Sequence, residues 1–294
     1  MLDPAVLATL ADLELVSRVV VDGTISGVHR SPFHGYSAEF SQYRHYRPGD
    51  DLKYVDWKLF ARTDRLYTKQ FRETTNLLCQ IALDTSGSMA YAGANGVSKF
   101  QYARMIAGAL AHLLAGQGDG VGLVTYSDTI RDYLPSRGGQ VHLRALLVAL
   151  ARATPEGITQ AGAAIGRTVD LLRRRGLVVV MSDLYDEDDT VEQALQRGTH
   201  AGHDVVVFHV LTREEIDLPF NGDVELVDLE TGQAVLSNRI ASGRAYREDF
   251  AAFLERWRSR CAGYGIDYVR IVTDTPLDVA LRAYLHHRAA RLVT

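Results

Sequence analysis

Short, strongly apolar runs alternate with segments of helical periodicity from about residue 76 to the C-terminal end, and this alternation constrains the fold most. Four such runs are LLCQIAL (77–83), GVGLVTYS (120–127), LVVVM (177–181) and VVVFHVL (205–211). Strands buried on both faces have this apolar composition, and helices between parallel strands provide the cover. The pattern predicts a doubly wound, mostly parallel α/β sheet with helices on both faces.

Weaker patterns complete the predicted sheet domain. TIRDYLPS (129–136) predicts an edge strand, because polar residues interleave it and Pro135 closes it. DVELVDLETGQAVLSN (223–238) predicts two short strands joined at Thr231-Gly232. A last strand is predicted over 266–272, and helices over 99–115, 141–152, 160–174, 190–201, 246–262 and 277–289.

The first 75 residues have a different character. An amphipathic helix is predicted over Pro4–Val21, and ten of the chain's 25 aromatic residues lie between Val28 and Arg72. This aromatic density predicts a small β-containing module. We therefore expect two domains: residues 1–75, and residues 76–294 with a small β insertion at about 213–245.

Charge is segregated along the chain. The formal net charge of −4 argues against a dedicated nucleic-acid binder, because the domains of such proteins usually carry a basic excess. Residues 183–230, however, carry fourteen acidic and two basic side chains. We expect part of this acidic segment to lie at the binding edge of the sheet and to face basic residues of a partner.

The cysteines and the apolar runs bear on location. Cys79 and Cys261 lie far apart in apolar stretches, so we expect two reduced, buried thiols and no disulfide scaffold. No run approaches the roughly 18 uninterrupted apolar residues that a membrane helix requires. The N-terminal segment also lacks the basic stretch of a signal peptide. We therefore expect no membrane span and a cytoplasmic protein.

The strongest chemical signal is the sequence DTSGS (84–88), directly after the first buried run. It offers a carboxylate and hydroxyls, which are hard oxygen donors of the kind that Mg²⁺ accepts. Ser182-Asp183 follows LVVVM, and the strands of these two runs should lie side by side at the switch point of the sheet, so that Asp183 faces Asp84. Thr159 can add a hydroxyl, although the N-cap of a helix is an equally natural role for it.

This order of residues resembles the metal-ion-dependent adhesion site of von Willebrand factor A domains: DxSxS, then a Thr in a Gly-containing loop, then an Asp after a buried strand. The resemblance implies a site for Mg²⁺, or for another divalent cation such as Mn²⁺ or Ca²⁺, formed by Asp84, Ser86, Ser88, Thr159 and Asp183. It also implies that the cation binds an Asp or Glu of a protein partner instead of driving a reaction.

A second resemblance covers nearly the whole chain. The signature of the bacterial domain-of-unknown-function-58 (DUF58) family is resembled by Arg44 or the section RPGDD (47–51), followed by DW (56–57) and AR (61–62). VELVDLETGQ and DYVRIVTDTPLDVALRAYL are also similar to that family. Many members carry N-terminal membrane helices, so this chain resembles the short soluble form. The resemblance implies a non-enzymatic, divalent-cation-dependent adaptor. It would act with a MoxR-type AAA+ ATPase in the chaperone-like assembly or maturation of a client.

Two other functions stay open. A metal-dependent phosphohydrolase of the haloacid-dehalogenase type also has a carboxylate after its first strand, but it needs a second carboxylate where this chain has Ser86. The third possibility is a structural scaffold with an inactive metal site.

Two charged clusters each allow a structural and a functional interpretation. Asp50, Asp51 and Asp56 lie close in sequence to Arg47 and Arg62, and we favour ion pairs that fix an irregular loop module over a docking surface. For the acidic run YDEDD (185–189) we favour stabilisation of a helix N-terminus. The alternative is a negative rim that attracts the cation and a basic partner.

Overall fold

The computed structural model describes residues 3–8, 12–25, 37–47, 50–74, 77–185, 189–219 and 223–291. The strands of these residues are β1 (Ser37–His45), β2 (Tyr67–Thr74), β3 (Leu78–Asp84), β4 (Gly120–Tyr126), β5 (Ile130–Arg137), β6 (Leu177–Ser182), β7 (Asp204–Leu211), β8 (Asp223–Val227), β9 (Ala234–Asn238) and β10 (Asp267–Val272). Their α-helices are α1 (Pro4–Ala8), α2 (Leu13–Ile25), α3 (Trp57–Thr63), α4 (Lys99–Gly116), α5 (Gln140–Arg152), α6 (Ala161–Leu171), α7 (Thr190–His200), α8 (Arg213–Asp217), α9 (Arg239–Gly263) and α10 (Leu277–Arg291).

Six of the strands form one sheet in the order β10-β7-β6-β3-β4-β5. Neighbouring strands are parallel throughout, except that β5 runs antiparallel to β4. Strand β3 therefore lies between β4 and β6, and the carboxyl ends of β3 and β6 meet at the switch point of the sheet. The predicted doubly wound, mostly parallel sheet is confirmed, and TIRDYLPS forms the edge strand β5 as predicted.

Helices cover both faces of this sheet. Side chains of a strand alternate between its faces, and Ala82, Val178 and Val180 point to the face where residues of α6, α7 and α9 complete the core. On the other face α4 packs against the sheet and contacts α2, α5 and α10. The central strands are buried along their whole length after Leu78, in keeping with their apolar sequences.

The compact units of the chain have other bounds than the predicted 1–75 and 76–294. One unit is Met1–Pro32 together with Leu78–Thr294, and the other is Phe33–Leu77. Helix α2 belongs to the first unit because it packs closely on α4: a β-carbon at Gly108 would lie 2.5 Å from Ser17 Oγ. Helical periodicity predicts an amphipathic helix here, but it does not reveal which core the apolar face joins.

The predicted helix over Pro4–Val21 is present as α1 and α2 in the described residues. Asp12 lies just before α2, and its carboxylate accepts hydrogen bonds from the amides of Glu14 and Leu15 at 2.9 and 3.3 Å. A side chain that satisfies the first free amides of a helix is an N-cap. A new helix therefore begins at Leu13.

The second unit contains a two-stranded antiparallel sheet, β1 with β2, and the short helix α3. The predicted small β-containing module is thereby confirmed. Its acidic residues hold the local structure: Asp50 accepts hydrogen bonds from Arg44 Nη2 at 2.7 Å and from the Arg47 amide at 2.9 Å. Asp56 caps α3 through the amides of residues 58 and 59, and it also pairs with Lys69 at 3.1 Å.

Three further predictions can be compared with the described residues. The segment 223–238 forms the antiparallel hairpin β8–β9. Cys79 and Cys261 are free and buried, as expected. Among the helices of the described residues, none combines the length and the apolar character needed to cross a membrane.

Candidate metal centre

The candidate site begins where β3 ends. Asp84 is the last residue of β3, and its carboxylate is 1% exposed. Its Oδ1 accepts a hydrogen bond from the Ser86 amide at 2.8 Å, and its Oδ2 accepts one from the hydroxyl of Ser182 at 2.7 Å. Ser182 ends β6, so the second bond joins the two strands at the switch point. The hydroxyl oxygens of Ser86 and Ser88 are 3.1 Å apart, so the turn presents two hydroxyls side by side.

The loop that carries Thr159 is held against this turn by backbone hydrogen bonds. The amide of Glu156 donates to the carbonyl of Thr85 at 2.9 Å, and the amide of Gly87 donates to the carbonyl of Gly157 at 2.8 Å. Helix α6 begins at Ala161, after this loop, so Thr159 is not its N-cap. The structure thus brings the Thr159 loop to the DTSGS turn, as the resemblance implied.

The hydroxyl of Thr159 is an unusual feature of this loop. Its Oγ1 is buried and has no hydrogen-bond partner among the described residues. Burying a hydroxyl without a partner costs about 1–3 kcal/mol, so native proteins rarely leave one in this state. A hard cation bound at this edge would give such an orphaned oxygen a partner, because oxygen atoms are the donors it accepts.

Asp183 is equally buried, with 2% of its surface exposed, but it already has a cationic partner. Lys99, the first residue of α4, donates to Asp183 Oδ2 at 2.6 Å and to Glu215 Oε1 at 2.6 Å. The Lys99 side chain is 1% exposed, so this is a buried ion triad. The ring of Tyr185 lies 4.8 Å from the Lys99 ammonium and adds a cation–π contact.

Burial dominates the electrostatics of the site. It raises the pKa of Asp84 above the usual value of a carboxyl, and the negative charge of Asp183 raises that pKa further. Burial acts in the opposite direction on Lys99, but the charges of Asp183 and Glu215 outweigh it and raise the pKa of Lys99. Lys99 therefore stays charged, whereas Asp84 forms no ion pair with the described residues. A cation at Asp84 would supply a counter-charge.

His209 supports the Asp183 loop as a neutral group. Its Nε2 lies 2.8 Å from the carbonyl oxygen of Asp183, and its Nδ1 lies 2.7 Å from the hydroxyl of Tyr268. A carbonyl only accepts hydrogen bonds, so Nε2 carries the proton and Nδ1 accepts from Tyr268. Burial lowers the pKa of His209 to about 4, which keeps the ring neutral near pH 7.

A hairpin that was not predicted to take part in the site reaches it from the acidic segment. Oε2 of Glu230, in the β8–β9 turn, accepts a hydrogen bond from the Thr159 amide at 2.9 Å. The same turn lies against the DTSGS turn, because a β-carbon at Gly87 would be 2.7 Å from the carbonyl oxygen of Leu229. Part of the acidic segment therefore lies at this edge of the sheet, as expected from the charge pattern.

The donor set fits a hard divalent cation. Within the described residues, no group of three or more His, Cys, Asp or Glu side chains is arranged to hold a metal. The predicted residues instead offer two carboxylates and three hydroxyls, an all-oxygen set that suits Mg²⁺ with part of its water shell retained. The buried orphan hydroxyl of Thr159 agrees with this chemistry. The nitrogen and sulfur ligands typical of Zn²⁺ sites are absent from this set.

The acidic run at 185–189 can be described only in part. Asp186, Glu187 and Asp188 lie outside the described residues. Asp189 precedes α7 without capping it through its side chain, and it accepts a hydrogen bond from Arg260 Nη1 at 3.1 Å. The choice between helix stabilisation and a negative rim stays open for the run as a whole.

Sequence reasoning missed Lys99 and Glu230. For Lys99 a compositional signal exists: the chain uses arginine for 28 of its 32 basic residues, and Lys99 is its last lysine. A lysine ammonium is a compact charge with three donors on a flexible stem, so it can bridge two carboxylates. Glu230 carries no such signal, because its contact with Thr159 spans 71 residues of sequence.

Comparisons with known proteins agree with the fold. The family model described as "Protein of unknown function DUF58" matches residues 42–260. The uncharacterized protein Rv1480 of Mycobacterium tuberculosis is 29% identical over 280 residues, which are 92% of this chain and 86% of that protein. The uncharacterized protein YeaD of Bacillus subtilis is 27% identical over 122 residues, which are 41% of this chain and 28% of YeaD.

Two solved structures are similar to this chain in fold. The conserved hypothetical protein BatB from Bacteroides thetaiotaomicron matches with a TM-score of 0.50 and 18% identity, over 73% of this chain and 99% of BatB. An aerotolerance-related membrane protein from Bacteroides fragilis matches with a TM-score of 0.50 and 17% identity, over the same shares. At these identities the likeness concerns the fold alone, which is von Willebrand factor A-like.

Proposed function

The chain belongs to the DUF58 family, and from that premise we propose that it is a non-enzymatic, divalent-cation-dependent protein-binding adaptor. The proposed cation is Mg²⁺, and the proposed ligand set is Asp84, Ser86, Ser88, Thr159 and Asp183. The observation that carries the proposal is the buried Thr159 hydroxyl without a partner among the described residues, on a loop bonded to the DTSGS turn. A bound cation would give this hydroxyl its missing partner.

Each residue has a definite task in this proposal. Asp84 and Asp183 neutralise the cation, and the hydroxyls of Ser86, Ser88 and Thr159 bind it directly or through water. When bound, the cation supplies a positive centre with a coordination position for a carboxylate of the partner. A charge-assisted contact of this kind is strong and directional. It explains partner binding without a nucleophile or a general base.

The carboxylate environment favours binding over catalysis. Both oxygens of Asp84 already accept hydrogen bonds, one from an amide and one from Ser182. The residue two positions later is Ser86, whose hydroxyl cannot replace the second carboxylate of a haloacid-dehalogenase-type phosphohydrolase. Asp84 is therefore positioned as a charge that orients the turn and not as an attacking group.

The partner and the setting are the finer part of the proposal. We propose a MoxR-type AAA+ ATPase that presents an Asp or Glu to the cation, and a chaperone-like role of the pair in assembling or maturing a client. Family resemblance supports this partner. The proposal places the chain in the cytoplasm, with no role in binding nucleic acid.

A second candidate is a structural scaffold with an inactive metal site. The ion triad favours it, because the Lys99 ammonium already supplies a positive charge to Asp183 at 2.6 Å. The two candidates predict different Mg²⁺ binding by the wild-type chain and by Lys99→Met. If Lys99 stands in for a metal, Lys99→Met creates Mg²⁺ binding that the wild-type chain lacks. If the adaptor proposal is right, the wild-type chain binds Mg²⁺ itself.

The adaptor proposal is tested with the purified full chain and a purified MoxR-type ATPase from the same genome. Mg²⁺ binding is measured by calorimetry, and complex formation by surface plasmon resonance in Mg²⁺ and in EDTA. Asp84→Asn keeps the size of the side chain and removes its charge, so both signals should fall at least tenfold. Asp170→Asn, an exposed carboxylate on α6 that pairs with Arg197, is the control and should leave both unchanged. Binding that is equal in Mg²⁺ and EDTA contradicts the adaptor.

A further inference from the structure

The β8–β9 turn contacts both loops that supply the proposed hydroxyl ligands. Glu230 Oε2 accepts the Thr159 amide at 2.9 Å, and the Leu229 carbonyl lies where a β-carbon on Gly87 would point. Gly87 stands between Ser86 and Ser88 in the DTSGS turn. The β8–β9 turn therefore contacts the Thr159 loop and the DTSGS turn at the proposed site.

The turn is held in shape by its own hydrogen bonds. Asp228 accepts the Glu230 amide at 2.8 Å through Oδ1 and the Thr231 hydroxyl at 2.5 Å through Oδ2. Its backbone carbonyl accepts the amide of Gly232 at 2.8 Å, and Gly232 takes a positive φ of 72°, which glycine adopts without strain. The backbone of the turn is thus preorganised, and the Thr159 amide holds the Glu230 carboxylate that the turn presents.

The Glu230 carboxylate forms no ion pair with the described residues. It adds a negatively charged side chain to an edge that already carries Asp84 and Asp183. Two basic side chains of the described residues lie near this edge, and both are engaged: Lys99 pairs with Asp183 and Glu215, and Arg131 pairs with Glu156. The hydroxyl of Thr159 is orphaned on the residue whose amide holds Glu230. A cation bound by that hydroxyl would lie near the Glu230 carboxylate and give it a counter-charge.

We propose that Glu230 is the chain's own carboxylate ligand for the cation and occupies the coordination position that a partner's Asp or Glu takes over. This inference rests on the proposed function and adds its regulation. The free chain is closed by its hairpin, and a partner opens it by offering a better-placed carboxylate. Partner binding then moves the β8–β9 turn away from Thr159. The β8–β9 turn thereby controls the access of a partner carboxylate to the cation.

Mn²⁺ used as the probe tests this proposal directly, because water bound to Mn²⁺ relaxes solvent protons. Bound Mn²⁺ is quantified by electron paramagnetic resonance, and proton relaxivity counts its coordinated waters. In Glu230→Ala, Mn²⁺ binding should weaken about tenfold, as for the loss of a supporting carboxylate. The count of bound waters should rise by about one. Free acetate should then lower the relaxivity of Glu230→Ala but not that of the wild type.

Asp170→Ala is the control, because Asp170 is an exposed carboxylate on α6 that pairs with Arg197 and belongs to neither site loop. It should keep the wild-type affinity and water count. If Glu230→Ala also keeps both, Glu230 is not a ligand and this inference is wrong, while the adaptor proposal stands. If the wild-type chain binds no Mn²⁺ or Mg²⁺, the proposed function is wrong, and the inference that Glu230 is a ligand is wrong as well.

Discussion

Replacing Thr159 with Val distinguishes two effects of its hydroxyl: the effect on the stability of the metal-free fold and the effect on Mg²⁺ binding. Valine has nearly the same shape as threonine, and Thr159→Val removes a hydroxyl that has no partner among the described residues. The desolvation penalty of an unsatisfied buried hydroxyl is about 1–3 kcal/mol, and removing it should raise the free energy of unfolding in chelator by about 1 kcal/mol. For a chain of this size, that corresponds to a rise in Tm of about 2–4 °C.

In Mg²⁺, by contrast, the wild-type chain should be more stable than Thr159→Val. At a Mg²⁺ concentration 100 times Kd, binding stabilises the wild-type chain by about 2.7 kcal/mol. A lost hydroxyl ligand that weakens binding tenfold removes about 1.4 kcal/mol of this stabilisation. Thr159→Val should therefore be more stable than the wild type in EDTA and less stable in Mg²⁺. Differential scanning calorimetry in the two buffers measures both effects on the same samples.

Thr168→Val is the matched control for this experiment. Thr168 is a buried threonine on α6, and its hydroxyl donates to the carbonyl of Ala164 at 2.8 Å. Its replacement should cost about 0.5–1.5 kcal/mol in both buffers and leave the Mg²⁺ effect intact. The reasoning is refuted if Thr159→Val shows the full wild-type response to Mg²⁺. It is also refuted if the variant is destabilised in EDTA as Thr168→Val is.

Three other predictions concern the ion triad, the N-terminal module and the hairpin. Lys99→Met leaves buried carboxylates unpaired, so the free energy of unfolding, measured with denaturant in EDTA, should fall by about 3–5 kcal/mol. Mg²⁺ should then raise this free energy more in the variant than in the wild type. Hydrogen bonds to Asp56 lower its pKa, so the module is stabilised above about pH 4 and loses this contribution as the pH falls below that value. Hydrogen exchange of the α3 amides, corrected for intrinsic rates, should show acid-induced loss of protection in the wild type, whereas Asp56→Asn, whose amide oxygen still caps α3 but does not titrate in this range, should show the same protection at all pH values. Gly87→Ala should displace the β8–β9 turn from the Leu229 contact, which limited proteolysis detects as faster cleavage there; an unchanged cleavage rate contradicts the predicted clash.

The strands and the switch point could be predicted because their signals are local. LLCQIAL and LVVVM are apolar enough to identify buried strands, and the topology of doubly wound sheets then places Asp84 beside Ser182 and Asp183. The structure bears this out through the Ser182–Asp84 hydrogen bond. The ligand roles of the five predicted residues remain a proposal.

Contacts distant in sequence could not be predicted in the same way. Lys99 meets Asp183 across 84 positions, and Glu230 meets Thr159 across 71. Neither pairing leaves a periodic pattern, because each depends on how helix α4 and the β8–β9 hairpin are placed in three dimensions. The packing of α2 on α4 is a further case, since an amphipathic helix has an apolar face whatever core it joins.

Anomalous diffraction from crystals of the full chain grown with Mn²⁺ tests the central claim most directly. The account predicts one strong anomalous peak at the edge of the sheet, within coordination distance of Ser86, Ser88 and Thr159 and close to Asp84. Crystals of Asp84→Asn grown in the same way should lack that peak. An empty site in the wild type, with Lys99 still bound to Asp183, would contradict the account and favour the structural scaffold with an inactive metal site.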